Sequence, residues 1–127
     1  MVLVRTARLV VHHAAHDDPF RDPGPWRDCV VVHGTDTSRL GWIGVRVEPD
    51  EPTVEVQIVI DEPARRQGYG AEALRAVVVQ ALSERAFVRV VAFAPSEDEA
   101  MQRVLYRAGL HPVAVDGDDL VYLARRS

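Results

Sequence analysis

The chain contains no lysine. All 15 of its basic residues are arginines, which we read as the coding bias of a GC-rich genome and not as a demand of mechanism. Cysteine is nearly as scarce. Cys29 stands alone and cannot close an internal disulfide, so a reducing compartment is expected. It sits in the apolar run DCVVVHG and reads as a small buried hydrophobe, not as a nucleophile. No apolar run approaches the length of a membrane span, and the opening MVLVRTARL does not have the makings of a signal peptide. A cytoplasmic protein away from membranes is expected. An excess of positive charge is missing too: 15 basic against 19 acidic residues leave a net charge of −4. That balance gives no general attraction to nucleic acid or anionic lipid.

What is present is ordinary for a folded chain. Hydrophobic residues make up 47% and charged residues 27% of 127 positions, which argues against disorder and for a single domain spanning residues 1–127. LVRTARLVVHH opens as one β-rich run. Residues 14–27, AAHDDPFRDPGPWR, carry Pro19, Pro23 and Pro25, so this stretch is loop with at most one helical turn. DCVVVHG and LGWIGVRVE follow as strands around a TDTS turn. TVEVQIVID then alternates, with Val54, Val56 and Ile58 on one face and Glu55 and Gln57 on the other. From Gly68 to about Arg85 the apolar period becomes helical. FVRVVAFA is a buried strand, and PSEDEAMQRVLYRAG a helix expected to start with a Ser96–Glu99 capping box and end at Gly109. Two strands around an Asp-Gly turn close the chain. The order β-β-β-β-α-β-α-β-β predicts an α/β (α+β) fold, a mixed sheet with helices packed on it.

The most specific segment is ARRQGYGAEAL, residues 64–74. A nucleotide-binding P-loop needs a lysine after its second glycine, so that reading fails. GYGAEA meets the loose dinucleotide pattern. But DEPARRQ separates Ile60 from Gly68, and VVAFAPS offers no acidic residue to hold a ribose. What remains is a strand running into an Arg-x-x-Gly-x-Gly loop that opens a helix. There the N–H groups from Gln67 to Ala71 are aimed at an anion, Gly68 and Gly70 let it approach, and Arg65 and Arg66 add charge. The plainer alternative is a glycine-shaped turn with solvated arginines.

This arrangement resembles the pyrophosphate loop of the GNAT acetyltransferase superfamily. The block VEVQIVIDEPARRQGYGAEAL is similar, without gaps, to the branch that acetylates protein N-termini, including ribosomal-protein alanine, and similar amines. VRTARLVV resembles that branch's first strand, and LYRAGL its closing element. The resemblance implies a mostly antiparallel twisted sheet of about 6–7 strands. It also implies acetyl-CoA as co-substrate, bound by Arg65, Arg66, Gln67, Gly68, Tyr69, Gly70 and Ala71. The pantetheine arm would lie beside Ile58, Val59 and Ile60, one of whose N–H groups polarises the thioester carbonyl.

Transfer of an acetyl group to a primary amine, of a protein N-terminus or a small molecule, then needs a base. Glu55 is the candidate, weighed against a solvated strand carboxylate. Tyr106 is the candidate acid for the leaving thiolate, although the family's tyrosine corresponds to Leu105. Asp98 and Met101 stand where the family often has asparagine and serine. The family's two helices walling the acceptor site do not fit in residues 14–27. The acceptor side is therefore expected to be open, covered by a second copy in a homodimer, or no longer used. The last case describes the alternative function, a catalytically weak acyl-CoA-binding module. No metal site is expected, because His12 and His13 face opposite sides of a strand. Trp26 and Trp42 are expected to pack in the core or at an interface before lining an acceptor surface.

Overall fold

The computed structural model describes residues 1–84 and 86–126. Among these residues, eight strands form one sheet in the order β1-β2-β3-β4-β5-β6-β8-β7. They are β1 (Val2–Arg5), β2 (Leu9–His12), β3 (Arg27–His33), β4 (Arg39–Val47), β5 (Thr53–Ile60), β6 (Arg89–Pro95), β7 (His111–Asp116) and β8 (Asp119–Arg125). Every neighbouring pair is antiparallel except β5–β6. A parallel pair needs a crossover, and helix α1 (Tyr69–Ser83) supplies it; α2 (Glu99–Arg107) follows β6.

The sheet has one strand more than expected because the opening run is not continuous. It folds at Thr6–Arg8 into a hairpin, pairing Val4 with Val11 and Arg5 with Val10. The Thr6 N–H donates to the Leu9 carbonyl (2.9 Å) and closes the turn. Residues 13–26 contain no helix and no strand, as their prolines require.

The core lies between one sheet face and the helices. Val54, Val56 and Ile58 point into it from β5, while Leu74, Val77, Val78 and Ala81 meet them from α1. These helix positions recur at the spacing of one face. The expected helix end near Arg85 lies outside the described residues. For α2, Ser96 is not the cap. Its N–H donates to the Asp118 carbonyl (2.8 Å), and Asp98 accepts from the Met101 N–H (3.0 Å) instead. The helix C-terminus is as expected. Gly109 adopts φ +99°, the Leu110 N–H reaches the Leu105 carbonyl (3.0 Å) and the Gly109 N–H that of Tyr106 (3.1 Å). Leu105 and Leu110, both buried, then pack beneath the turn. No helix among the described residues is long and apolar enough to cross a membrane.

Candidate active site

The two halves of the sheet part company at Glu55. Strands β5 and β6 pair only as Thr53↔Arg89, Val54↔Val90 and Glu55↔Val91. Beyond that point β5 stays with β4 as far as Ile60, and β6 stays with β8 as far as Pro95. The wedge between them opens into a cleft of about 680 Å³, lined by Ile58 to Ile60, by Asp98, Met101, Val104 and neighbours on α2, and by the loop ahead of α1.

Backbone alternation decides which groups face the wedge. The Thr53 carbonyl accepts from the Glu48 N–H (3.0 Å) and the Asp61 N–H donates to the Leu40 carbonyl (2.8 Å), so these odd-numbered residues turn toward β4. The N–H groups of Ile58 and Ile60 therefore point to the open side and that of Val59 does not. Of the three positions expected beside the thioester, Ile58 and Ile60 turn their N–H groups to the open side and Val59 turns its own to β4.

The loop has the conformation of an anion cradle. Arg66 and Gly68 both adopt left-handed backbone, φ +68° and +79°, on either side of Gln67. Such alternation curls successive N–H groups around a concavity. Helix α1 starts next, with no side chain capping it, so its first-turn N–H groups have no internal partner. Arg65 reaches back to the Ile60 carbonyl (2.9 Å). Arg65, Arg66, Gly68, Tyr69, Gly70 and Ala71 all line the cleft.

Three roles differ in detail from expectation. Gln67 does not line the cleft, and its carbonyl is held by Arg8 Nη1 (3.0 Å). The Tyr69 ring lies under the Arg8 guanidinium, 4.6 Å from its centroid, and edge-on to His33. Gly70 is small for packing reasons, since a Cβ there would stand 3.3 Å from Ile60 and 3.6 Å from Val104. Only Gly68 answers to the backbone requirement. The fit to a coenzyme A diphosphate thus rests on uncapped donors, a curled loop and arginine charge at one end of a wedge.

Glu55 lies on the sheet face away from the helices, at the apex of the wedge, but it is not solvated. Its side chain is 14% exposed, and Arg46 Nη2 donates to its Oε1 (2.8 Å) and to Glu48 Oε1 (2.7 Å). The Glu55 hydrogen bond, with the charges of both carboxylates, outweighs burial and holds the Arg46 guanidinium above its ordinary range. Pairing carries one row across this face: Arg46↔Glu55, Glu55↔Val91, Val91↔Leu123 and Leu123↔His111. Trp26 extends it, with Arg46 5.6 Å from its ring centroid. A side chain on Gly44 would meet both Trp26 and Trp42 at 3.2 Å, so the two indoles flank that glycine on the outer face and neither is a core residue.

Tyr106 is not brought to the cleft. It is 59% exposed and packs edge-on against His111, with centroids 5.3 Å apart. One residue turns a helix by about 100°, and Leu105 takes the inward place. Burial first, then the charges of Asp28, Asp17 and Asp18, push the Cys29 thiol up to about 12, which makes it a poor nucleophile. Sequence reasoning misses Thr6, Arg8 and Arg46. The pattern Thr-x-Arg before a strand is visible, but nothing local signals that it reaches α1.

Known structures share this architecture. A GNAT-family acetyltransferase from Bacillus anthracis superposes with a TM-score of 0.80 at 15% identity, covering 99% of both chains. Spermidine N-acetyltransferase from Vibrio cholerae, solved with CoA and spermine, gives 0.75 at 10% identity over 95% of this chain and 97% of that one. The ribosomal L7/L12 α-N-protein acetyltransferase RimL in complex with coenzyme A gives 0.78 at 11% identity over 98% of each. At such identities these likenesses establish the fold. A search of curated proteins finds no matching sequence. The family model described as acetyltransferase (GNAT) domain matches residues 6–111, and with that match the chain belongs to the GNAT acetyltransferases, whose co-substrate is acetyl-CoA.

Proposed function

We propose that this protein transfers an acetyl group from acetyl-CoA directly to a primary amine, of a protein N-terminus or a small molecule. The observation that carries the reading is the place of Glu55, at the apex of the wedge and on the face opposite the helices. Acetyl-CoA supplies the activated acetyl thioester. The loop from Arg65 to Ala71 holds its diphosphate, and the wedge beside Ile58 and Ile60 admits the pantetheine arm. An N–H of Ile58 or Ile60 donates to the thioester oxygen and stabilises the charge that develops there.

Glu55 accepts the proton of the acceptor ammonium and so frees the lone pair that attacks. Arg46 occupies Glu55 Oε1, and no bond to Oε2 is found among the described residues. That oxygen is the one assigned to the proton. Because Leu105 fills the inward position and Tyr106 faces outward, the proton returned to the leaving thiolate comes from solvent. The acceptor enters over a face that no helix among the described residues covers, across Trp42, Gln57, Val59 and Phe93.

Two measurements test this. Melting temperature should rise with acetyl-CoA and CoA and stay flat with NAD; ligand at a hundredfold excess over Kd adds about 2.7 kcal/mol. In an amine-panel assay, Glu55→Gln should lower kcat by about 10²–10⁴ with an unchanged shift for CoA. No shift with either CoA species refutes the cofactor assignment. Unchanged turnover in Glu55→Gln removes the base, and binding without turnover on any amine leaves the acyl-CoA-binding module.

A further inference from the structure

The turn between β1 and β2 does not line the cleft, yet it makes a dense polar contact with the first turn of α1 and one hydrogen bond to the cofactor loop. Arg8 Nε and Nη2 both lie 2.7 Å from Glu72 Oε1, and Arg8 Nη1 donates to the Gln67 carbonyl (3.0 Å). The Thr6 hydroxyl donates to Glu72 Oε2, which also accepts the Arg8 backbone N–H (3.2 Å). The assembly is braced from behind, where the Gly34 N–H donates to the Arg8 carbonyl (2.8 Å).

Glu72 raises a problem of sign. It is an acidic residue in the first turn of α1, the helix whose N-terminus faces the cleft. A carboxylate there suits the helix dipole in the free protein but repels a bound diphosphate. The Gln67 carbonyl poses the same problem, because an oxygen turned into a concavity of N–H donors repels an anion. Arg8 meets both groups at once.

We propose that Arg8 is the positioning residue of the diphosphate loop. It cancels the Glu72 charge and draws the Gln67 carbonyl out of the concavity, so that the loop presents donors alone. This rests on the reading that coenzyme A binds the loop, and the experiment keeps the two apart.

Calorimetric titration with CoA is run on wild type, Arg8→Met, Glu72→Gln and the double variant, at two salt concentrations, with ligand-free melting recorded for each. Failure of the wild type to bind CoA overturns the reading of the loop itself. Given wild-type binding, Arg8→Met should weaken Kd about tenfold or more, and the deficit should shrink in high salt as the exposed carboxylate is screened. Removing that carboxylate as well, in Arg8→Met/Glu72→Gln, should restore the part of the affinity lost to the uncancelled charge, even though the double variant has lost every contact of the Arg8 side chain. In turnover assays KM for acetyl-CoA should follow Kd while kcat stays put. A residue that merely holds the fold together predicts the opposite for the double variant, namely affinity no better than Arg8→Met. That result, or Arg8→Met binding like wild type, overturns the proposal. If Arg8→Met does not fold, Glu72→Gln alone decides: it should bind CoA at least as tightly as wild type despite a lower melting temperature. A loss beyond about threefold refutes the charge-cancelling role.

Discussion

Replacing Gly68 with alanine puts the cradle's geometry to a quantitative test. At φ +79° a Cβ meets only Arg8 Nη2, at 3.5 Å, which is ordinary contact. Space is therefore not the obstacle, and the cost lies in the backbone. Holding an L-residue in the left-handed region costs about 1–2 kcal/mol. That free energy has to appear in one of two places. If the new alanine stays left-handed, the protein melts lower, by about 3–5 °C per kcal/mol for a chain of this size, and Kd for CoA is kept. If the residue relaxes to negative φ, stability recovers but the N–H groups turn away from the concavity, and about 1.4 kcal/mol of lost cradle geometry weakens Kd tenfold. Melting curves with and without CoA read both quantities from one set of samples. Gly68→Asn, whose side chain tolerates this region, should lose less of either. Gly70→Ala is the control. It crowds Ile60 at 3.3 Å but sits in helix, so helix propensity of about 1 kcal/mol offsets the crowding and affinity should hold within a few-fold. Gly68→Ala matching wild type in both quantities refutes the reasoning from backbone conformation. Gly70→Ala losing the more affinity places the cradle elsewhere.

Two further outcomes follow from the same contacts. Burial raises the Glu72 carboxyl, but the Thr6 hydroxyl and the Arg8 side chain and N–H outweigh it and hold it below its ordinary 4.5. A depressed folded-state value stabilises the protein above about pH 4.5 and is lost as pH falls further, so Glu72→Gln should flatten the acid limb of a denaturation curve and leave the neutral plateau lower. An equally steep acid limb counts against the contact. Leu105→Tyr, which restores the family's residue at that position, should destabilise by about 1–3 kcal/mol with no gain in kcat, because Leu105 is 2% exposed in a filled core. A rise in turnover measured at saturating acetyl-CoA contradicts that placement.

The features legible in the sequence are those fixed by short-range chemistry. Alternation along Val54 to Ile58 names the buried face of β5, the spacing from Leu74 to Ala81 names the inner face of α1, and the glycines locate the loop. Gly109 is legible for the same reason, since a left-handed helix end is written in one residue. Long-range pairing hides the rest. The run from Leu3 to His13 is β-rich throughout, and the side chains of its turn at Thr6–Arg8 meet Glu72, more than sixty residues away. The same holds for Arg46, which alternation places opposite Glu55 only once the β4–β5 register is known. The cap of α2 is misread for the same reason: spacing to Glu99 points to Ser96, but the fold draws Ser96 into the Asp118 turn and leaves the role to Asp98.

Residues 13–26 explain why the two halves of the site differ in character. With no helix to offer, this segment sends Phe20 inward against Phe87, centroids 6.1 Å apart, and so closes the end of the core. It sends Trp26 outward to Arg46, covering one margin of the opposite face. Nothing of it reaches Val59 and Phe93, which stay 39% exposed beside the wedge. On the proposed reading the cofactor half rests on left-handed backbone at Arg66 and Gly68 and on paired charges, where a carboxylate or carbonyl turned the wrong way repels the diphosphate. The proposed acceptor half is a sheet face that no helix among the described residues covers, with Gln57, Val59 and Phe93 exposed and Trp42 half-buried. On the proposed reading, discrimination among amines then resides in a few of those side chains, Trp42, Gln57, Val59 and Phe93, each replaceable without disturbing the loop that holds the cofactor.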